Sequence, residues 1–317
     1  MNNGSHSRAG SIPLHRVALL RPFTEFLTDV GSPIERGFRH AGLPVCTLED
    51  INNYIPSQRF YEFLVGMARS QGIENLGFHV GQRFGANCVD PKLKNLLRRS
   101  PTLYQGLIKT CELTNRTVTN CHVGILQPPH CESVHFYHRP SCDIRNPVIH
   151  QIGWFGLTTF IGLIREFTGP QWQPTEIGIM TDHALSREIR EQFPHTRIRL
   201  SQKHSYIALE NTLLSLPPLH PQTAKPELSP LHYESLSHEY TGSLKQVLQT
   251  YVQESDLNID FAAELCNTSK RSLQRHLTES GTQYSELLDE VRFHTASRML
   301  LDPNMKVVDI ANRLGYS

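Results

Sequence analysis

The sequence predicts an α+β domain followed by an all-α domain that carries a helix-turn-helix. Three observations lead there. The stretch SLPPLHPQTAKPELSPLHYESLS, 215–237, holds five prolines among polar residues and can form neither a helix nor an inner strand, so it reads as a linker. Upstream of it, helical and extended patterns alternate. Downstream, every apolar run has the helical period. The expected layout is a disordered tail over 1–11, an α+β domain over 12–218, a linker over 219–240 and a helical domain over 241–317.

Composition supports this layout. A chain of 317 residues is long enough for two domains with separate cores, and 38% hydrophobic with 19% charged residues is globular rather than disordered. The net charge of +1 gives no general attraction to polyanions, so any nucleic-acid partner must be recognised by a local patch. No signal-peptide core follows the polar start, and the most apolar run, WFGLTTFIGLI, is too short to span a bilayer. A cytoplasmic protein with no membrane partner is expected. Seven cysteines without any C-x-x-C pair suggest reduced thiols.

In the N-terminal domain, RFYEFLVGMARSQG places Phe60, Phe63, Leu64 and Met67 at helical spacing, with Ser57 as the expected N-cap. PKLKNLLRRS and TLYQGLIKTCELT repeat the pattern. TNCHVGILQPPHCESVHFYHR contains two extended runs around Pro128-Pro129 and reads as a hairpin, with Val134, Phe136 and His138 on one side of its second strand. A helix over roughly 147–167 follows, then strand-like EIGIM and RIRL around the short helix SREIREQF.

The hairpin also gathers Cys121, His122, His130, Cys131, His135, His138 and Cys142. These are zinc-type ligands, but the close spacing of a zinc clamp is absent among the cysteines, and neighbouring strand residues point to opposite faces. Buried thiols and surface histidines are therefore expected, with no metal and no cofactor. Asp182, His183 and Ser186 resemble triad members only superficially; residues so close in a loop are turn chemistry. No nucleotide-binding, hydrolase or metalloprotease motif is present, so no catalytic residue is assigned.

The helical domain opens with SLKQVLQTYVQE, which presents Leu244, Val247, Leu248 and Tyr251 on one face. In NIDFAAELCNTSKRSLQRHL, Asn258 caps a helix with Ile259, Ala262 and Ala263 inward. Cys266-Asn267-Thr268 forms a turn that needs a left-handed residue, supplied by asparagine. Ser269 caps the next helix, whose Leu273 and Leu277 face inward while Lys270, Arg271, Gln274 and Arg275 face out. Arg suits the O6/N7 edge of guanine and Gln the N6/N7 edge of adenine; Lys at a helix start suits a phosphate. A solvated basic face on an ordinary helical hairpin is the plainer alternative.

The end of the chain weighs towards the DNA-reading alternative. At an offset of 48, Val307, Ile310, Ala311, Gly315 and Ser317 fall on Ile259, Ala262, Ala263, Asn267 and Ser269. The tail is thus a second copy of the first helix and turn. Between the copies Leu287, Leu288, Val291, Ala296, Met299 and Leu300 mark one long spacer helix, which would set two reading heads about one DNA turn, ~34 Å, apart.

With these residues in place, the region from about 243 to 317 resembles the DNA-binding domain of the AraC/XylS family of bacterial transcription regulators. The resemblance rests on Ala262-Ala263, Ser269-x-x-x-Leu273-Gln274-Arg275, Val291-Arg292…Ala296…Leu300 and Ile310-Ala311…Leu314-Gly315-Tyr316. It implies a first recognition helix, 269–277, in the major groove, with Arg271, Gln274 and Arg275 at base edges and Lys270 and Ser272 at phosphate or supporting the docking. The N-terminal domain more loosely resembles the arabinose-binding-type sensor domain of that family, on Asn75-Leu76-Gly77, Ser100-Pro101-Thr102-Leu103, Glu166 to Pro174 and Leu213 to Pro217. That implies effector sensing or dimerisation rather than sugar binding in particular. The expected partners are double-stranded DNA at an operator or promoter, RNA polymerase, an unidentified small-molecule effector and a second copy bound through the N-terminal domain. Activation of transcription is the expected mode. Trp154, Phe155 and Trp172 are candidates for an effector pocket, with core packing the stronger reading; no effector-binding residue is assigned.

Family members continue through a second recognition helix and a closing helix, whereas this sequence stops at Ser317. The expectation is a chain truncated within the second helix-turn-helix, with its last helix frayed or opportunistically packed and its operator poorly bound by a monomer. The alternative function is a DNA-binding-impaired subunit that acts by dimerising with a full-length regulator.

Overall fold

The computed structural model describes residues 11–221, 236–237, 239–254 and 257–316. Most of the expected tail and much of the expected linker lie outside the described residues.

The chain opens with strand β1 (Leu14–Arg16), then helices α1 (Arg21–Asp29) and α2 (Ile34–His40). Strand β2 (Tyr54–Pro56) returns antiparallel to β1, pairing Leu14 with Pro56 and Arg16 with Tyr54. Helices α3 (Ser57–Ser70), α4 (Leu76–Phe84), α5 (Pro91–Arg98) and α6 (Leu103–Thr117) follow. Ser57 is not the cap of α3. It is the first helical residue after Pro56, and its hydroxyl bonds His15 Nδ1 at 2.8 Å. The expected hairpin is β3 (Cys121–Leu126) with β4 (Ser133–Pro140), and Val134, Phe136 and His138 all point into the core.

Helix α7 (Val148–Thr168) runs through the middle of the domain and is buried along most of its length, which explains its apolar composition. Strand β5 (Glu176–Gly178), helix α8 (Arg187–Gln192), and strands β6 (Arg197–Arg199) and β7 (Ser205–Glu210) complete the domain. The five strands lie in the order β3-β4-β7-β5-β6, antiparallel except for β5 with β6.

Two cores result. One lies between the five-stranded sheet, α6 and α7, and includes Phe136, Trp154, Leu157, Ile177 and Ile207. The other lies among α1 to α4 and includes Phe23, Phe38, Phe63 and Leu64. The sensor-like sequence motifs are where these layers meet. The Asn75 side chain accepts from His150 Nε2 at 2.8 Å, and Gly77 N–H donates to Gln151 Oε1 at 2.9 Å. Thr102 caps α6, and Leu103 N–H donates to the Leu216 carbonyl. Glu166 holds Arg98 at 2.7 Å, and Gly169 turns the chain at φ 96°.

The helical domain comprises α9 (Tyr240–Tyr251), α10 (Ile259–Leu265), α11 (Lys270–Glu279), α12 (Tyr284–Met299) and α13 (Val307–Arg313). Its core contains Leu244, Val247, Leu248, Ala262, Leu273, Leu277 and Val291, and also three residues from the start of the chain: Ile12, Leu14 and Tyr54. The β1–β2 ribbon is therefore shared. Ile12 N–H donates to Ser243 Oγ at 3.0 Å. Further ties are Arg59 to Glu264 at 2.9 Å, Arg298 to Asp50 at 3.0 Å and the Tyr251 hydroxyl to the Gly42 carbonyl at 2.9 Å.

Two details differ from expectation. Leu300 is 54% exposed and does not belong to the buried face of α12, where Thr295 is buried instead. Val307 is exposed, unlike its counterpart Ile259, which is half-buried. Of the two alternatives expected for α13, frayed or packed, the packed one is seen: Ile310 and Leu314 are buried in the core of the helical domain, and Tyr316 lies under the Arg292 guanidinium.

Candidate nucleic-acid interface

Helices α10 and α11 form the first helix-turn-helix. Asn258 Oδ1 accepts from Phe261 N–H at 3.0 Å and starts α10. Ala262 and Ala263 are small enough to let α11 cross closely, and both are buried. Asn267 sits at φ 50°, the left-handed conformation the turn requires. Thr268 N–H then reaches back to the Ala263 carbonyl at 2.9 Å, closing the end of α10.

The same turn is built at the second copy. Gly315 sits at φ 75°, and Tyr316 N–H reaches the Ala311 carbonyl at 2.9 Å. The offset of 48 seen in the sequence thus reproduces a backbone conformation and a hydrogen bond as well as an apolar pattern.

Ser269 starts α11 by accepting from Ser272 N–H at 3.2 Å. Leu273 and Leu277 anchor the helix in the core, and Lys270, Arg271, Gln274 and Arg275 are exposed on the other side. Ser272 is half-buried and held by the Ser269 hydroxyl at 3.0 Å. The five expected contact residues therefore stand on one short helix, four of them open to solvent. Two of the cations have acidic neighbours: Lys270 pairs with Asp260 at 2.8 Å across the turn, and Arg275 with Glu279, one turn along the same helix, at 3.7 Å.

Charge order on α11 works against the helix. Lys270 and Arg271 occupy its first turn and Glu279 its last. Each such placement opposes the helix dipole by roughly 0.3–1 kcal/mol. His276 packs its ring against Tyr240 of α9 at 4.4 Å, bracing α11 from behind.

A second candidate site was not legible in the sequence. A cavity of about 520 Å³ lies inside the N-terminal domain between α6, α7, α3 and β1. Phe60, Leu113, Ile152, Phe155 and Phe160 supply apolar wall; His15, Arg16 and His138 supply polar groups. Of the three aromatic candidates only Phe155 lines it. Trp154 is fully buried in the core, and Trp172 packs against that core with its carbonyl holding Arg165. Burial pushes His15 down to about 3 and His138 to about 4, so both rings are neutral near pH 7. The one signal in the sequence was the run LHR, a histidine and an arginine inside an otherwise apolar start.

The hairpin thiols and histidines depart in part from expectation: His138 is buried against α7, and Cys131 is exposed. Among the described residues no group of three or more His, Cys, Asp or Glu side chains is placed to hold a metal ion. Cys121 is half-buried towards the core, its thiol pushed up to about 12 by burial, while His122 is exposed on the opposite face. Ser186 caps α8 by accepting from Ile189 N–H, and His183 N–H bonds the Thr181 hydroxyl. No helix among the described residues is long and apolar enough to cross a membrane.

Two family models match the chain. Residues 31–218 match the family model described as the arabinose-binding domain of AraC transcription regulator, and residues 262–317 match a helix-turn-helix domain. A 60-residue segment is 38% identical to the ornithine utilization regulator of Pseudomonas aeruginosa; it covers 19% of this chain and 18% of that protein. The crystal structure of the transcriptional regulator CdpR from Pseudomonas aeruginosa aligns over 94% of this chain and 90% of its own, with 17% identity and a TM-score of 0.47.

Proposed function

The chain belongs to the AraC family of transcription regulators, and from that premise we propose that it binds operator DNA through α11 and alters transcription in response to a small-molecule effector. The observation that carries the reading is α11 itself: Arg271, Gln274 and Arg275 stand exposed on a helix held by buried Leu273 and Leu277 and preceded by a well-formed turn. Arg271 and Arg275 offer forked donors for guanine, and Gln274 offers the paired donor and acceptor that adenine requires. Lys270 and Ser272 stand in the first turn of the helix, the end whose dipole favours a phosphate. Lys270 must give up Asp260 to do so, a modest cost for an exposed pair.

Selection of a preferred site from random duplexes, followed by anisotropy titration, tests the assignment. Arg275→Ala is expected to weaken the selected site by about 1–3 kcal/mol and to relax one base position. Lys270→Ala should lower affinity for all sequences alike and flatten the dependence on salt. Equal, sequence-blind losses from both variants would refute base reading by this helix.

A further inference from the structure

We infer that the cavity between α6, α7, α3 and β1 is the effector site, that it takes an uncharged, largely apolar ring-bearing molecule with one or two hydrogen-bonding groups, and that β1 carries its occupancy to the DNA-reading domain. This rests on the regulator reading above and adds the site, the ligand class and the route.

Size and lining set the class. A volume of about 520 Å³ lies within the range of small-molecule pockets. The wall is mainly aliphatic and aromatic, from Leu113, Ile152, Phe60, Phe155 and Phe160. The charged side chains on it already face opposite charges. Arg16 contacts Asp90 at 3.3 Å and Asn52 at 2.8 Å; Arg21 pairs with Glu25 at 2.7 Å; Lys94 lies 3.5 Å from Glu166. A charged ligand would need to break one of these pairs or enter without a counter-ion. His15 and His138 each spend one ring nitrogen on the protein, bonding Ser57 and the Gly153 carbonyl. The wall thus provides a few neutral polar points on an apolar surface. Thr159 adds a buried hydroxyl with no hydrogen-bond partner in the protein, a point to which one hydrogen-bonding group of a ligand can be matched.

The route follows from β1. His15 and Arg16 line the cavity, while Leu14 of the same strand and Tyr54 of its partner lie in the core of the helical domain. Ile12 N–H and the Tyr54 carbonyl bond Ser243 and Thr250 of α9. A molecule that displaces β1 therefore displaces the seat of α9, against which α11 is braced by the Tyr240–His276 stack.

The test uses the full chain and N-phenyl-1-naphthylamine, an uncharged apolar fluorophore. Saturable fluorescence enhancement is expected, reversed by 1-naphthol and unaffected by L-arabinose or decanoate at equal concentration. Leu113→Trp and Thr114→Phe, which fill the cavity from α6, should each weaken dye binding by at least about tenfold while circular dichroism is unchanged. In the wild type 1-naphthol should also shift affinity for the selected duplex, and Leu113→Trp should abolish that shift. Absence of saturable binding, displacement by arabinose or decanoate in place of naphthol, or full binding by both folded variants would overturn the site and its ligand class. Binding without any shift in DNA affinity would overturn the route. Sequence-selective DNA binding by the unliganded protein is read separately: its absence defeats the regulator reading and leaves the dye titration interpretable.

Discussion

The Thr250 hydroxyl donates to the Tyr54 carbonyl at 2.6 Å, across 196 positions of sequence and within a buried contact. One partner belongs to the first helix of the reading domain and the other to the ribbon that closes the sensor domain. The two domains are therefore joined by buried hydrogen bonds between side chains of α9 and the backbone of the ribbon, as well as by surface ion pairs.

Thr250→Val keeps the shape of the side chain and removes the donor. It is expected to cost about 1 kcal/mol, up to roughly 3 kcal/mol if the Tyr54 carbonyl is left unpaired. Urea denaturation measures the loss, and faster proteolysis near residues 236–240 should accompany it. An unchanged midpoint and digestion pattern would mean that the ribbon is not a structural joint.

Asn267 holds the left-handed turn of the helix-turn-helix at φ 50°. Asn267→Gly should be close to neutral, whereas Asn267→Val should lose about 1–2 kcal/mol, because a β-branched side chain crowds its own backbone there. Thermal unfolding with DNA titration checks both. Equal stability of the two variants would show that the turn relaxes to another conformation.

Gly77 lies where α4 meets α7, and a Cβ there would run into the Gln151 carbonyl oxygen. The neighbour is backbone and cannot swing aside. Gly77→Ala is expected to cost about 1–3 kcal/mol or more by forcing the helices apart and straining the Gly77–Gln151 hydrogen bond. Chemical denaturation gives the value; a loss within error would show that the helices separate freely.

His15 and His138 are buried neutral, with values of about 3 and about 4 against the ordinary 6.5. Below 6.5 the unfolded chain binds protons that the folded one does not, so folding stability falls as pH drops from 6.5 towards the folded values. Each histidine contributes a slope of up to about 1.4 kcal/mol per pH unit in that window. Urea unfolding at pH 7, 6 and 5 should show the decline, and His138→Gln should make it shallower. A flat profile from pH 7 to 5 would contradict neutral burial.

How much of this was legible in the sequence depended on the range of the interaction. Ala262, Asn267, Leu273 and Leu277 could be read because helix period, left-handed turns and caps are local, and the half-copy at Ile310 and Gly315 repeated them. The hairpin was legible from alternation at Val134, Phe136 and His138. Strands β1, β2 and β7 were not. LHR and YIP are three residues long and gain strand character only by pairing with each other, 40 positions apart. The cavity was hidden for the same reason, since its wall is gathered from segments between His15 and Leu163. The acidic partner of Lys270, Asp260, depends on a tertiary crossing of two helices that no spacing rule encodes, whereas Glu279 stands one turn from Arg275 on the same helix and was open to a spacing argument.

The shared ribbon has a practical corollary for anyone handling the polypeptide. Ile12 and Leu14 complete the hydrophobic centre of a unit that otherwise begins more than two hundred positions later. Cutting the gene at the proline-rich segment would yield a reading fragment with an oily gap beside Leu244 and Tyr251, prone to self-association.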